Sequence, residues 1–155
     1  MTELEMKKYS RNALLGSFVS MLTAGLATMM YSVSISTIRT DLALTAVQAG
    51  SLGTYTFMGQ MLGGMVAGYL ADRYGRKNIL IVDVILATLA VFATSLLQSY
   101  SIFGILRFIT GVGLGGCYYI ASILIGEFVP TNKRGFMSGV ATSVWNFGYV
   151  VCCAM

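Results

Sequence analysis

The chain has 155 residues, of which 56% are hydrophobic and only 10% are charged, and its formal net charge is +4. A soluble domain of this size carries about a quarter charged residues and could not hide so much apolar surface in one core. Composition therefore excludes an ordinary soluble domain and predicts an integral membrane protein.

Uncharged runs long enough to cross a bilayer recur along the chain. A spanning helix needs about 20 mostly apolar residues. We predict an all-α, polytopic transmembrane bundle over residues 12–155, behind a polar N-terminal tail formed by residues 1–11. The predicted helices lie at about 12–38, 50–71, 78–97, 102–125 and 136–155. The first exceeds the apolar core of a cleaved signal peptide, and further spans follow it, so we interpret it as an uncleaved helix.

Basic residues cluster between alternate helices. Cytoplasmic loops of membrane proteins carry an excess of lysine and arginine. One side of the predicted bundle carries Lys7, Lys8, Arg11, Arg73, Arg76, Lys77, Lys133 and Arg134, and the other side carries only Arg39. This asymmetry predicts a cytoplasmic N-terminus and excludes a dual-topology transporter with balanced loops. It also accounts for the net charge without a nucleic-acid partner.

The most specific stretch follows the second predicted helix and has the sequence Gly68-Tyr-Leu-Ala-Asp72-Arg73-Tyr-Gly75-Arg76-Lys77. A generic basic turn would explain its arginine and lysine residues, but not the aspartate and the glycine at this spacing. The stretch resembles the loop between helices two and three of the major facilitator superfamily, G-x-L-A-D-R-x-G-R-K.

A second resemblance begins at Arg107, which opens the pattern R-x-x-x-G-x-G-x-G, and continues through Glu127 and Arg134 in the pattern E-x-x-P-x-x-x-R-G. It is similar to the fourth helix and following loop of the sugar porters and metabolite–proton symporters. Helix packing alone explains the glycines, but not the charged residues. Two shorter stretches, which begin at Val47 and Ser143, are similar to aromatic acid–proton symporters and nicotinate-type permeases, respectively.

The resemblance implies the N-terminal part of a twelve-helix secondary transporter, in which two six-helix bundles rock about a site at the membrane midplane. It also implies that charged motif residues hold the inner ends of the bundles together while the site faces outward. The implied motif residues are Asp72, Arg73, Gly75, Arg76, Lys77, Glu127 and Arg134. Because the chain ends at a possible span, we expect the C-terminal six-helix half, the partner of this bundle, to be missing.

Two charged residues fall inside predicted spans. Arg107 either snorkels to the outer headgroups or faces the central cavity, where it would bind an anionic substrate or pair with an acid on a missing helix. We favour the cavity, with Tyr31 and Trp145 as further substrate contacts. Asp83 lies nearer the inner surface, and we expect it to form a structural ion pair with the charged motif residues instead of carrying protons.

The first predicted helix departs from the family pattern. Aromatic-acid and sugar symporters commonly carry an acidic residue there that takes part in proton coupling, whereas the stretch from Thr23 to Tyr31 is neutral. A uniporter-like mechanism, a different coupling residue and a damaged transporter therefore all remain open.

We predict a secondary active transporter of a small organic anion, such as an aromatic acid or a nicotinate-like metabolite, or of a sugar, in a bacterial inner membrane. The alternative is a non-transporting membrane remnant or an accessory subunit. An enzyme is disfavoured, because no histidine, paired acids or nucleophile motif is available. The cysteines, Cys117, Cys152 and Cys153, have no paired spacing and indicate packing residues, so we expect no metal and no cofactor.

Overall fold

The computed structural model describes residues 3–41, 43–96 and 99–154, and within these ranges every regular element is helical. The α-helices are α1 (Glu3–Asp41), α2 (Ala46–Tyr74), α3 (Arg76–Leu96), α4 (Tyr100–Phe128) and α5 (Arg134–Ala154), with a 3₁₀ turn at Thr131–Lys133 before α5. The predicted all-α bundle of five helices is confirmed.

Hydropathy separates the helices into two kinds. Within the described residues, α1, α3 and α4 contain segments long and apolar enough to cross a membrane, at Arg11–Thr40, Arg76–Thr94 and Tyr100–Phe128. Helices α2 and α5 were predicted as spans and do not reach this criterion. Each contributes polar side chains, such as Gln60 and Thr142, to a cavity that α1 and α4 also line.

Several helix ends differ from the prediction. Helix α1 begins at Glu3, inside the predicted tail. Helix α2 begins at Ala46 because Thr45 and Gln48 form a capping box, in which each side chain accepts a hydrogen bond from the backbone N–H of the other residue. The predicted ends at Leu97 and Met155 lie outside the described residues.

Helix α4 is the centre of the bundle, with its largest contact to α2 and further contacts to α3 and α1. The α2–α4 contact is made by glycines. A Cβ atom on Gly63 would overlap the backbone of Val112, and one on Gly111 would overlap the backbone of Thr56. Small residues thus let the two backbones approach directly, as expected for helices that pack within a membrane.

Short connections make consecutive helices antiparallel, so the bundle has two ends. One end holds the α2–α3 turn and the connection between α4 and α5, where Ile125 and Val129 pack with Leu14 of α1. The other end holds Leu44, Leu52 and Phe103 in a second apolar cluster. We name these the basic end and the opposite end, because the charge asymmetry of the sequence coincides with this division.

Candidate functional site

The turn between α2 and α3 depends on one glycine. Gly75 adopts a φ of 90°, a conformation that side chains with a Cβ atom resist, and its N–H donates to the carbonyl oxygen of Ala71 at 3.0 Å. A single residue therefore separates the two long helices. This geometry places Asp72 and Arg76, on either side of the turn, close together.

Arg76 joins three helices at the basic end. Its guanidinium lies 3.6 Å from the carboxylate of Asp72 on α2, and it also forms a salt bridge with Glu127 near the end of α4. The Asp72 side chain is 73% exposed and that of Glu127 is 51% exposed. Exposed ion pairs contribute about 0–1 kcal/mol each. The cluster can therefore hold this end together and still open at low cost.

The other predicted motif residues lie nearby without joining this cluster. Arg73 is placed over the ring of Tyr74, with its Cζ atom 5.8 Å from the ring centroid. The Nε atom of Arg134 donates to the carbonyl oxygen of Val129 at 3.0 Å and so ties the start of α5 to the end of α4. Lys77 lines a separate small cavity between α1 and α3. The structure thus brings together only part of the predicted group.

A cavity of about 850 Å³ lies against α1, α2, α4 and α5. This volume is within the range of about 300–1,000 Å³ found for small-molecule sites. Its aromatic lining residues are Phe57, Tyr69, Tyr118, Tyr119 and Trp145. Its polar lining residues are Thr28, Gln60, Asp72, Arg76 and Thr142. The ion pair at the basic end therefore forms part of the cavity wall.

Trp145, predicted as a substrate contact, lines this cavity. It is held there by the close approach of α5 to α1. A Cβ atom on Gly25 would overlap the carbonyl oxygen of Trp145, and one on Gly148 would lie 2.9 Å from the backbone nitrogen of Leu26. The two backbones meet at these glycines, so helix packing fixes the backbone position of Trp145.

Arg107 and Tyr31 do not line the cavity. The Arg107 side chain is 7% exposed, and its Cζ atom lies 4.0 Å from the centroid of the Tyr31 ring and 5.2 Å from that of Phe103. The hydroxyl of Tyr31 donates to the carbonyl oxygen of Ala49 at 3.2 Å. Burial shows that Arg107 does not snorkel to the surface. Instead, a cation–π contact joins α1 to α4, and Tyr31 extends the link to α2.

Asp83 differs from the prediction. In the part of the chain that the structure describes, it forms no salt bridge, and its Oδ2 atom has no hydrogen-bond partner. The expected ion pair is therefore wrong for these residues. The reason is the direction in which the side chain points. The Asp83 carboxyl lies against Gly116 in the middle of α4, whereas Arg76 is engaged at the end of the bundle.

The sequence alone did not indicate that a row of large apolar side chains on α2 lines the cavity. Phe57, Met61, Met65 and Tyr69 recur at intervals of four along α2, a spacing that places them on one helical face. All four line the cavity. Within the residues searched, no group of three or more histidine, cysteine, aspartate or glutamate side chains could hold a metal ion.

Comparisons with known proteins agree with this architecture. Residues 17–154 match the family model of the Major Facilitator Superfamily. The cis,cis-muconate transport protein of Acinetobacter baylyi is 34% identical over 139 residues, which cover 90% of this chain and 34% of that protein. An inner membrane metabolite transport protein of Escherichia coli is 30% identical over 151 residues, which cover 97% of this chain and 34% of that protein.

A niacin transporter of Acinetobacter baylyi is 33% identical over 117 residues, which cover 76% of this chain and 27% of that protein. The chain thus spans about a third of the length of the curated relatives it matches. The matched region includes the turn at Gly75, the glycine contact between α2 and α4, and the aromatic cavity.

Proposed function

The chain belongs to the major facilitator superfamily, and from this premise we propose that it forms the first helical bundle of a secondary active transporter for a small organic anion. Two of the relatives carry the names of muconate and niacin, which are small conjugated carboxylates. The observation that carries the proposal is the cavity of about 850 Å³, whose aromatic wall suits a flat conjugated molecule.

We assign the contacts with the flat part of the substrate to Trp145 and Tyr118, which contribute to the cavity from α5 and α4. Aromatic rings in offset or edge-to-face contact contribute about 0.5–1.5 kcal/mol beyond the burial of their area. Gln60, from α2, supplies an amide that can donate hydrogen bonds to a carboxylate. A few polar groups on a mainly apolar wall are the usual means of orienting a small ligand.

The preference for an anion is assigned to Arg107. Its charge is not neutralised by a salt bridge with any described residue, and its Nε atom lacks a hydrogen-bond partner there. Tyr31, over which it stacks, is one helical turn beyond the cavity residue Thr28. An unneutralised cation in a region of low dielectric makes the neighbouring cavity favourable for negative charge.

The salt bridges of Arg76 are proposed to act as a latch during alternating access. They tie α2, α3 and α4 at the basic end, and both Asp72 and Arg76 also line the cavity. Opening this end exchanges weak, partly exposed ion pairs for contacts with water. We further propose that the basic end faces the cytoplasm of a bacterial cell, because the basic clusters all lie there.

Trp145 gives a direct test, because it is the only tryptophan of the chain. Purified protein in detergent is titrated with niacin and, separately, with nicotinamide, which has the same ring without the carboxylate. We expect saturable quenching of Trp145 fluorescence by niacin, with an affinity about tenfold higher than for nicotinamide, equivalent to about 1.4 kcal/mol. Equal affinities would reject the anionic substrate, and no saturable response to either compound would reject the cavity as the binding site.

A further inference from the structure

A carboxyl group lies inside the bundle and away from the cavity. Asp83 is 7% exposed and does not line the cavity that holds Trp145. At the α3–α4 contact, a Cβ atom on Gly116 would overlap the Asp83 carboxyl, and one on Gly113 would lie 2.7 Å from its backbone oxygen. The side chain thus occupies a notch that glycine residues leave open in α4.

The surroundings of this carboxyl offer it little stabilisation as an anion. The methyl group of Ala67, from α2, reaches the same notch, and the methyl group of Ala87 lies one turn further along α3. The Oδ2 atom has no hydrogen-bond partner among the described residues. A buried carboxylate that has no cation, and in which one oxygen has no donor, is costly, and binding a proton relieves that cost.

The helices that pack against α3 present few charged or titratable side chains to Asp83. Helix α3 packs against α4, α2 and α1. From α4, the buried thiol of Cys117 follows Gly116, against which the Asp83 carboxyl lies. From α2, the nearest charged residue along the helix beyond Ala67 is Asp72, which is paired with Arg76. Helix α1 has no charged residue between Arg11 and Arg39, and its Ser17 and Ser20 are buried.

A cavity of about 220 Å³ lies on the side of α3 that faces α1, and its lining residues include Asn12, Gly16, Lys77 and Leu80. Leu80 precedes Asp83 by three residues, which corresponds to a rise of about 4.5 Å along the helix. A displacement of less than one turn would therefore bring the carboxyl to a cavity that holds a lysine side chain.

We propose that Asp83 is a proton-binding group within the membrane-spanning bundle and that its proton couples transport to the proton gradient. Against Gly116 the carboxyl keeps its proton. When α3 shifts along the glycine notch of α4 towards the small cavity, the O–H bond breaks, the electron pair stays on the carboxylate, and water accepts the proton. Lys77 then stabilises the carboxylate. The coupling part of this inference rests on the proposed function, whereas proton binding does not.

Infrared difference spectroscopy of the whole chain in detergent tests proton binding directly. A protonated carboxyl gives a C=O stretching band that is separate from the carboxylate bands and shifts in deuterated water. We expect this band at neutral pH in the unaltered protein and its loss in Asp83→Asn. Asp72→Asn is the matched control and retains the band, because Asp72 is exposed. No protonated band in the unaltered protein, or its persistence in Asp83→Asn, overturns the proposal.

Isotope labelling keeps the test decisive if Asp83→Asn does not fold. The chain has three aspartates, Asp41, Asp72 and Asp83. Carboxyl-¹³C-aspartate in the unaltered protein, in Asp41→Asn and in Asp72→Asn shifts an aspartate band but leaves a glutamate band in place. A band that does not shift with the label excludes Asp83. A labelled band that is lost in Asp41→Asn or in Asp72→Asn excludes it as well, and one that persists in both belongs to Asp83.

Coupling is tested by the protons that niacin binding takes up or releases in weakly buffered solution. We expect a proton change near neutral pH that is lost in Asp83→Asn and retained in Asp41→Asn, a substitution of an aspartate to which we assign no role in the cavity or the latch. Binding of niacin without any proton change overturns the coupling role. If niacin does not quench Trp145 fluorescence at all, the proposed function fails, and the infrared result still decides whether Asp83 binds a proton.

Discussion

Some contacts of the site join residues that are close in the sequence, whereas others join residues that are far apart. Gly75 sits in a turn whose conformation follows from its own φ of 90°, and its flanking residues Asp72 and Arg76 are brought together by that turn. Their proximity could be predicted from the sequence, because the motif spans only a few residues. The salt bridge of Arg76 with Glu127 joins distant positions, and the resemblance to the family indicated these residues without their pairing.

Arg107 and Asp83 show what residue-level prediction leaves undetermined. Each was recognised as a charge inside a span, but its partner depends on the direction of the side chain. Successive residues of an α-helix point about 100° apart, so an error of one position moves a side chain to another face. Arg107 stacks on Tyr31 in α1, and Asp83 faces glycines of α4. Neither contact leaves a local pattern in the sequence.

Two substitutions of Arg107 distinguish the effect of its positive charge from the effect of its planar shape. Arg107→Met keeps a long side chain but removes the positive charge, whereas Arg107→Lys keeps the charge and loses the planar guanidinium that stacks on Tyr31. We expect niacin affinity to fall about tenfold in Arg107→Met and by less in Arg107→Lys, measured by Trp145 fluorescence. Equal affinity in the two variants would show that the charge does not attract the substrate. Far-ultraviolet circular dichroism controls for loss of fold.

The elements of the fold were largely predictable, because long uncharged runs leave few alternatives to helices in a membrane protein. Helix ends were less accurate. The start of α2 is set by the capping box of Thr45 and Gln48, which lies in a stretch assigned to a connection. Helices α2 and α5 line the cavity together with α1 and α4, and no sequence pattern shows which helices surround a cavity.

The contact between α2 and α4 gives a prediction about stability. A methyl group on Gly111 would overlap the backbone of Thr56, which belongs to another helix and cannot move aside as a side chain could. We expect Gly111→Ala to destabilise the protein by about 1–3 kcal/mol, the usual cost of overpacking. Thermal unfolding in detergent, followed by circular dichroism, measures this change.

Gly64→Ala is the matched control for that experiment. Gly64 lies on the same helix pair, but the nearest atom to its added Cβ would be the carbonyl oxygen of Gly115 at 3.7 Å, an ordinary contact distance. Alanine also favours helix more than glycine does. We expect no loss of stability in Gly64→Ala. Equal destabilisation in both variants would mean that the close approach of backbones at Gly111 does not hold the two helices together.

At the scale of the whole molecule, family membership is the conclusion that the sequence supported best. The motif at Gly75 and the pattern that begins at Arg107 indicated the family, and the match over residues 17–154 establishes it. The shared cavity could not be located in the same way. It is assembled from α1, α2, α4, α5 and the start of α3, and its position depends on how these helices tilt and pack.

Arg76 links the basic end of the bundle to the cavity. Arg76 lies on the cavity wall and in the salt bridges that close this end, so a change at the end alters the cavity directly. Asp83 lies seven residues after Arg76 on α3, about two turns along the helix, where its carboxyl lies against Gly116 of α4. A proton there and an anion in the cavity would act on two sides of α4, the helix at the centre of the bundle.

The proposed function depends most on how the helices cross the bilayer, and site-directed labelling tests this arrangement most directly. Single cysteines are placed at Ala43, Tyr74 and Asn132, which are all exposed, after Cys117, Cys152 and Cys153 are replaced by serine. A membrane-impermeant maleimide should label position 43 in intact bacterial cells, and positions 74 and 132 only after permeabilisation. Labelling of positions 74 and 132 from opposite sides of the membrane would contradict the account.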